Sequence, residues 1–317
     1  MHLGFLSLHE SGFRRFGGVG LGLEEPRVEI TATQSRDKQC TFRYADDEIA
    51  SEDQSRLQRD ILRSMSELQI NCSIQFTIKN APGAHRGLGS GTSIRLAAIE
   101  AALLLTDTPI SEEGIIVASR RGGASGIGVR TYFEGGFWLD LGHSSDARPF
   151  VPSAFKDPGI SSSIALPRLG IPKWSIVLAR SKNSSSLSGA EELDFFNRVL
   201  PLPEAESHRA TYIGLFGLYA SILSGDFEKF SEAINAMQET LWKKEEWGAN
   251  DTSVSFLADR FLQAGAPCVG LSSLGPTIFS VFETMKEAQN LVEKLDNCVA
   301  TITRFANSGR RISNVSD

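Results

Sequence analysis

Cysteines, long apolar runs and clustered basic residues are all scarce in this sequence of 317 residues. The four cysteines lie far apart, with no C-x-x-C pair and no histidines at metal-ligand spacing, which argues against a zinc site or a dense disulfide framework. No apolar run approaches the roughly 18 residues of a membrane span, and polar residues interrupt the N-terminus where a signal peptide would be apolar. We therefore expect a cytoplasmic protein without a membrane partner.

Positive charge is not concentrated anywhere in the chain. Its 32 Lys and Arg residues face 38 Asp and Glu residues, the formal net charge is −6, and no basic run exceeds two residues. Because binding to a nucleic-acid backbone requires clustered Lys and Arg, we expect no nucleic-acid partner. A small anion would have to be bound by a few local groups.

The chain is long enough for a sizeable core, with 41% hydrophobic residues, and its length suggests two domains. Strand-like and helix-like patterns are mixed in both halves, which predicts an α+β fold. A stretch rich in Ser, Pro and Gly at residues 144–172 predicts a boundary that divides the chain into domains of residues 1–155 and 156–317. The patterns predict strands at 28–33, 72–78, 174–179, 268–272, 277–282 and 298–305, and helices at 53–68, 92–105, 111–119, 190–197, 208–224, 226–243, 252–264 and 286–295.

Glycine, in contrast, is abundant and clustered. Sixteen of the 29 glycines fall within residues 12–22, 83–91 and 122–142. Glycine clusters between strand-like and helix-like segments are typical of backbone that adopts positive φ or approaches a ligand closely. Ordinary turns are the alternative for any one cluster.

One of these clusters leads directly into an apolar helical segment that extends to Leu105. The free amides and the positive end of the dipole at a helix N-terminus form an anion site, so we predict that this turn binds phosphate. No Lys follows the last glycine, so the turn is not a Walker A loop. A structural turn capped by Ser90 or Thr92 is the alternative. The predicted phosphate-binding residues are Gly87, Gly89, Ser90, Gly91 and Thr92.

A second cluster follows two arginines, Arg120 and Arg121. Guanidinium groups bind phosphate or carboxylate bidentately, so either arginine could supply the positive charge that the chain as a whole lacks; a surface pair is the alternative. The remaining cluster, within residues 14–23, could form a loop wall. In the second cluster we predict phosphate binding by Gly122, Gly123 and Ser125.

Together these segments resemble the GHMP small-molecule kinase superfamily, which carries a glycine-rich phosphate loop at a helix start and a later Ser-Gly-Ile/Val-Asp segment. The resemblance implies a two-domain GHMP-kinase-like fold, with a ribosomal protein S5 domain 2-like N-terminal domain and a ferredoxin-like α/β sandwich as the C-terminal domain. Gly128 stands where these kinases have a catalytic aspartate. A kinase uses that group toward the acceptor hydroxyl, so we expect a different chemistry.

Within the superfamily, the chain resembles the β-ribofuranosylaminobenzene 5′-phosphate synthase family over nearly its full length. The resemblance implies that 5-phosphoribosyl 1-diphosphate condenses with 4-aminobenzoate, or with a 4-hydroxybenzoate-like acceptor, in the biosynthesis of a tetrahydromethanopterin-type cofactor. CO2 and diphosphate would leave, Mg2+ would be required, and a homodimer is expected. An ATP-dependent small-molecule kinase and a non-catalytic binding relative are the alternatives. The matching segments are residues 2–4, 17–21, 85–92, 121–128, 133–137, 140–143 and 271–277.

The resemblance also directs attention to individual side chains and turns. Two of the histidines could protonate or orient a substrate carboxylate, although a lone histidine is often a structural donor. Acidic residues beside the glycine nest could hold Mg2+ or act as bases, or could simply be solvated or paired. A polar turn near the end would face the phosphate loop across a cleft, or would be an ordinary β-turn. The candidate catalytic residues are Arg121, His85, Glu134 and His143; the candidate cleft residues are His2, Gly17, Gly18, Ser272, Ser273, Gly275 and Thr277; the candidate Mg2+ ligands are Asp140 and Glu134.

Overall fold

The computed structural model describes residues 1–37, 39–45, 49–83, 86–144, 150–152, 163–187 and 189–314. The predicted boundary between residues 155 and 156 and the candidate His85 lie outside these residues. The described residues form three β-sheets with helices packed against them, so the predicted α+β fold is confirmed. None of the described helices is long and apolar enough to cross a membrane.

The first sheet contains the N-terminus of the chain. Its central strand carries closely spaced glycines because neighbouring atoms leave no room for side chains: a Cβ at Gly18 would lie 2.5 Å from Nε2 of His2. The suggestion of a loop wall at residues 14–23 was therefore wrong for most of its length, because these glycines serve close strand packing rather than a turn. The sheet comprises β1 (His2–Ser7), β2 (Arg14–Leu21), β6 (Phe137–Asp140) and β7 (His143–Ser144), with the other three strands all antiparallel to β2.

The second sheet packs on three helices in the first half. The side chains of Ile61, Phe76 and Ile99 are fully buried between these layers. The predicted helices at 53–68, 92–105 and 111–119 are confirmed, with starts that differ by one or two residues. The strands are β3 (Glu29–Gln34), β4 (Thr41–Tyr44) and β5 (Ile74–Lys79) in the order β3-β5-β4, and the helices are α1 (Ser51–Glu67), α2 (Ser90–Leu105) and α3 (Glu112–Ser119).

The third sheet lies in the second half, and all of its strands are antiparallel to their neighbours. Its predicted strands are confirmed, except that the strand expected at 268–272 is reduced to two residues before a polar turn. The strands are β8 (Ser175–Ser181), β9 (Gly270–Leu271), β10 (Ile278–Phe282) and β11 (Cys298–Arg304) in the order β11-β8-β10-β9, packed on α10 (Thr252–Gln263) and α11 (Met285–Val292).

The remaining helices differ from the prediction at two places. The helix predicted at 226–243 is broken, because Thr240 is extended (φ −70°, ψ 152°) and begins a new helix. A short helix within the second glycine cluster was not predicted. These helices are α4 (Ile127–Glu134), α5 (Gly189–Val199), α6 (Glu204–Tyr212), a π-helical segment (Ile213–Tyr219), α7 (Ala220–Ser224), α8 (Phe227–Gln238) and α9 (Leu241–Gly248).

One hydrophobic core joins the two halves of the chain. Leu3 and Phe137 of the first sheet lie in the same buried cluster as Ile176 and Phe279 of the third sheet and Phe230 of α8. Burial of this shared apolar surface holds the halves together, at roughly 25 cal/mol per Å² removed from water. The glycine-rich loop before α2 and the polar turn after β9 are thereby held face to face.

Candidate active site

A cavity of about 260 Å³ lies where the two halves of the chain meet. Its walls come from the glycine-rich loop, the first turns of α1 and α4, α5 and the polar turn after β9. Most enzyme sites occupy concave regions of this kind between structural units. The wall includes Met1, His2, Phe5, Asp53, Arg56, Arg86, Gly87, Gly89, Ser90, Gly91, Thr92, Arg121, Ser125, Gly128, Glu192, Phe196, Glu246, Ser273, Leu274 and Gly275.

The loop at residues 87–92 has two positions whose backbone conformation favours glycine. Gly87 and Gly89 have φ values of +76° and +74°, and a Cβ at Gly87 would lie 2.0 Å from the carbonyl oxygen of Ser272. The hydroxyl of Ser272 donates to the carbonyl of Gly87 at 2.8 Å, so loop and polar turn are joined. The polar turn therefore lies directly against the glycine-rich loop, and both segments line the cavity.

The helix that follows this loop has no side-chain cap. Gly89 is its N-cap and cannot accept from the first-turn amides, while the hydroxyl of Ser90 donates instead to the carbonyl of Gly83 at 3.4 Å. The amides of Thr92 and Ser93 bond to the carbonyl of Gly89. Within the described part of the chain, no hydrogen bond uses the amides of Ser90 or Gly91. Both amides are available to an anion in the cavity.

Arg121 extends towards this loop, and a Cβ at Gly91 would lie 3.5 Å from its terminal nitrogen. Burial, and then the charge of Arg56, lower the pKa of Arg121 to about 10, while Glu192 opposes the shift. The guanidinium is therefore charged at neutral pH. Arg120 points elsewhere and forms an ion pair with Glu67, so the two neighbouring arginines have separate environments.

The glycine nest after Arg121 leads into α4, whose N-terminus also faces the cavity. Ser125 lines the cavity, and its hydroxyl accepts from the amide of Ile127 at 3.2 Å. Gly122 has a φ of +82°, and Gly123 is buried. A Cβ at Gly128 would lie 3.4 Å from Cγ2 of Thr92, which is ordinary contact. The position has room for a Cβ, so contact with Thr92 does not require glycine here.

Three candidate catalytic or metal-binding residues do not line this cavity. His143 is buried, and its Nε2 donates to the carbonyl of Gly122 at 3.1 Å. Asp140 is fully buried and accepts from the amides of Gly126 and Gly142 and from the hydroxyl of Ser163. Glu134 is exposed at the far end of α4. The contacts of His143 and Asp140 hold the glycine nest in place from behind.

The cleft residues predicted from the resemblance are divided in the same way. His2, Ser273 and Gly275 line the cavity. Gly17 and Gly18 lie in the neighbouring strand β2 and do not line the cavity. Ser272 and Thr277 are buried in the polar turn.

Among the described residues, His2 is the candidate histidine that lines the cavity. Its Nε2 is buried without a hydrogen-bond partner among the described residues. Burial, and then the charges of Lys243 and the N-terminus, lower the pKa of His2 to about 3. The imidazole is therefore neutral at physiological pH, where one ring nitrogen carries a proton and the other accepts.

Sequence reasoning missed a buried ion pair behind the polar turn. The side chains of Lys243 and Glu246 are 0% and 1% exposed and form an ion pair. Lys243 also donates to the carbonyl of Leu271 at 2.7 Å, and Nε1 of Trp242 donates to Glu246 at 2.7 Å. Burial raises the pKa of Glu246, whereas Lys243 opposes that shift. No sequence signal distinguishes this pair from the exposed charges around it.

Four charged residues that line the cavity were also missed: Asp53, Arg56, Arg86 and Glu192. Asp53 and Arg56 form an ion pair at 3.2 Å. Burial raises the pKa of Glu192, and the charges of Arg121 and Arg56 oppose that change. With Arg121, three arginines therefore lie along the part of the cavity that contains the glycine-rich loop.

Another part of the cavity wall is aromatic. The rings of Phe5 and Phe196 lie edge to face at 6.1 Å, and the ring of His2 lies 4.5 Å from that of Phe5. Met1 and Leu274 complete this apolar end. The cavity thus combines arginines suited to phosphates, called the cationic end below, with aromatic side chains suited to a flat ring, called the aromatic end.

No group of three or more His, Cys, Asp or Glu side chains in the described part of the chain could hold a metal ion by itself. Mg2+, however, commonly binds through one or two carboxylates together with substrate phosphates. The carboxylates that line the cavity near the arginines, Asp53 and Glu192, fit that requirement.

Comparison of the fold with solved structures gives the class of protein. The chain is similar to homoserine kinase from Cytophaga hutchinsonii (TM-score 0.66, 18% identity, covering 92% of this chain and 90% of the other). It is also similar to mevalonate kinase from L. major (TM-score 0.63, 12% identity, covering 93% and 90%). The chain therefore has the fold of the GHMP kinases.

Sequence comparison gives the family. No protein-family model matches the chain. It is 31% identical over 315 residues to β-ribofuranosylphenol 5′-phosphate synthase of Methanothermobacter thermautotrophicus, covering 98% of this chain and 92% of the relative. It is 29% identical over 322 residues to the Archaeoglobus fulgidus protein of the same name, covering 98% and 96%. The chain belongs to the β-ribofuranosylphenol 5′-phosphate synthase family and is an enzyme, as the resemblance predicted.

Proposed function

We propose that the enzyme transfers a phosphoribosyl group from 5-phosphoribosyl 1-diphosphate to a 4-substituted benzoate, with loss of CO2 and diphosphate. The observation that carries this proposal is a single cavity lined both by arginines beside the glycine-rich loop and by aromatic side chains. The curated relatives are named for a ribofuranosylphenol product, which favours 4-hydroxybenzoate as the acceptor over 4-aminobenzoate. The product would be a C-riboside 5′-phosphate for a tetrahydromethanopterin-type cofactor.

The cationic end is suited to the phosphoribosyl donor. The free amides of Ser90 and Gly91 and the guanidinium of Arg121 face the space in which phosphate oxygens would lie. As the bond between C1 of the ribose and the diphosphate breaks, negative charge grows on the leaving group. Fixed donors that face this charge lower the barrier, because they need no reorganisation during the reaction.

The aromatic end is suited to the acceptor. A benzoate ring against the edges of Phe5 and Phe196 would exclude water, and the neutral His2 beside them can exchange a hydrogen bond with the 4-substituent. That substituent donates electron density to the ring carbon that carries the carboxylate. This carbon forms the new bond to C1 of the ribose; the bond to the carboxylate then breaks, and its electron pair restores the aromatic ring as CO2 leaves.

Magnesium is part of the proposal because the resemblance implies it. When bound, it would offset charge on the diphosphate, and Glu192 and Asp53 are the cavity carboxylates that could hold it.

We also propose a cytoplasmic homodimer. The exposed, stacked side chains of Tyr212 and Phe216, together with exposed Leu223, give one apolar helix face that could support a dimer, and light scattering in solution tests it.

A phosphoryl-transfer activity is the alternative that the fold alone would suggest. Gly128 argues against it, because the position lacks the expected aspartate although a Cβ would fit there. Transfer of the sugar instead of a phosphate requires no base at that position.

The test uses 4-hydroxybenzoate and 4-aminobenzoate, each labelled in the carboxyl group. We expect labelled CO2 that appears only with 5-phosphoribosyl 1-diphosphate, in equal amount to the diphosphate released. ATP-dependent phosphorylation of an alcohol without CO2 release would instead favour a kinase. Binding of 5-phosphoribosyl 1-diphosphate without turnover of either acid would favour a non-catalytic relative.

A further inference from the structure

Glu192 is a carboxylate in a part of the cavity that otherwise suits anions. It lies in the first turn of α5 and lines the cavity together with Arg56 and Arg121. The start of α5 packs closely on Arg56, since a Cβ at Gly189 would lie 2.5 Å from a terminal nitrogen of that arginine. The fold therefore brings Glu192 next to the arginines that face the glycine-rich loop.

The other acidic residues of the cavity wall already have partners. Asp53 pairs with Arg56 at 3.2 Å, and Glu246 accepts from Lys243 and Trp242. Among the described residues, no hydrogen bond or ion pair within 4 Å reaches the carboxylate of Glu192. Its only favourable interactions there are the longer-range charges of Arg121 and Arg56.

Entry of a diphosphate changes this balance. The guanidinium groups that offset the charge of Glu192 would then face phosphate oxygens, and the carboxylate would lie beside a ligand of the same sign. Like charges within one cavity repel strongly where water is partly excluded. A cation between the carboxylate and the diphosphate would replace this repulsion with two attractions.

We propose that Glu192 is the protein ligand, direct or through water, of a divalent cation that enters the cavity with the diphosphate. Mg2+ suits this position because it keeps several waters and needs only one or two carboxylates when phosphates complete its shell. The inference rests on the proposed function in that it takes a diphosphate as the ligand.

The experiment measures binding, without an acceptor and without turnover. Calorimetry compares inorganic pyrophosphate in EDTA with pyrophosphate preloaded with Mn2+, for the native enzyme and for Glu192→Gln. We expect the native enzyme to prefer the metal-loaded form. In Glu192→Gln that preference should fall roughly 10–100-fold, the usual effect of disturbing a metal's protein environment. Binding of metal-free pyrophosphate should be unchanged or tighter, because a repelling charge is gone.

Asp194→Asn is the matched control. Asp194 lies on the same helix, is exposed and does not line the cavity, so its variant should keep the native preference. The electron paramagnetic resonance spectrum of Mn2+ with pyrophosphate should change in Glu192→Gln and not in Asp194→Asn. Circular dichroism checks that both variants are folded.

Two results would overturn the inference. Glu192→Gln could keep the native preference for metal-loaded pyrophosphate, or the native enzyme could show no such preference while the variant binds metal-free pyrophosphate more tightly. The second result would mean that Glu192 takes up a proton instead of a metal. Either result is separable from failure of the proposed function, which is judged by labelled CO2 release alone.

Discussion

The two walls of the cavity bind by different means. The wall from the first half includes a backbone element, the loop of Gly87 and Gly89, which exposes amides at a helix start in a conformation that side chains would strain; Arg56 and Arg121 lie beside it. The wall from the second half is built from side chains of α5 and α9, supported by the buried pair of Lys243 and Glu246. Anion binding at the first wall should therefore depend on glycine geometry as well as on these arginines, and the second wall should depend on charge balance.

Lys243→Met gives the largest expected effect and tests the second wall. It leaves the buried carboxylate of Glu246 without its ion partner, and it removes the donor to the carbonyl of Leu271. Breaking one partner of a buried ion pair costs about 3–5 kcal/mol. We expect the free energy of unfolding in urea to fall by that amount.

Lys244→Met is the control for this prediction. Lys244 pairs with Glu239 at 3.0 Å, but both side chains are more than half exposed. An exposed pair contributes at most about 1 kcal/mol. If both variants lost the same free energy of unfolding, burial would not determine how much the Lys243–Glu246 pair contributes to stability.

Arg121→Ala tests whether the guanidinium of Arg121 stabilises the leaving diphosphate. Its guanidinium lies beside the glycine-rich loop and would face charge that develops on the leaving diphosphate. Removing one such donor lowers turnover by roughly 10²–10³-fold. Steady-state kinetics of CO2 release should show this loss while circular dichroism shows an intact fold.

Arg120→Ala is the matched control, because this neighbour pairs with Glu67 outside the cavity. It should keep near-native turnover. If Arg121→Ala also kept native turnover, the assignment of the cationic end to the diphosphate would be wrong.

The backbone wall could be predicted from the sequence, whereas most of the side-chain wall could not. Three glycines in five residues before an apolar segment indicate a helix start that is open to an anion, and the structure has that arrangement at Gly87–Gly91. Glu192, Arg56 and Lys243 lie on helices where charged residues recur. Only the packing of the two halves decides which of these charges are buried.

Sequence reasoning also could not separate residues that hold the site from residues that face it. His143 and Asp140 lie beside the glycine nest and form hydrogen bonds to its backbone, and Asp140 also accepts from the hydroxyl of Ser163. The glycines of β2 have a similar density to those of the phosphate loop, yet they serve strand packing against His2. In both cases, contacts with residues distant in the sequence decide whether a residue supports the site or lines the cavity.

The pH dependence of stability tests the burial of His2 at the aromatic end. Its pKa is lowered to about 3, so below a pH of about 6.5 the unfolded chain binds a proton that the folded chain does not. Stability should therefore fall as the pH decreases. At 1.36 kcal/mol per pH unit, this histidine should contribute a loss of about 1–2 kcal/mol between pH 7.5 and pH 5.

Urea unfolding at both pH values, in the native enzyme and in His2→Gln, isolates this contribution. The variant should lose less stability than the native enzyme over the same range. His208→Gln is the control, because its imidazole is exposed, 3.4 Å from Glu204 and in contact with the ring of His9. A pH dependence that is unchanged in His2→Gln would contradict the buried, neutral state of His2.

The smallest expected effect is a change in stability that differs in sign between Gly128→Ala and Gly87→Ala. A Cβ at Gly128 meets only ordinary contact with Thr92, and alanine restricts the unfolded chain more than glycine, so Gly128→Ala should raise stability by about 0.4–1 kcal/mol. Gly87→Ala should instead destabilise the protein and weaken pyrophosphate binding, because its Cβ would meet the carbonyl oxygen of Ser272 at 2.0 Å. Urea unfolding and calorimetry measure both. Loss of turnover in a stable Gly128→Ala variant would mean that substrate fills the space beside Thr92, and the absent aspartate would then reflect the shape of the substrate as well as the chemistry.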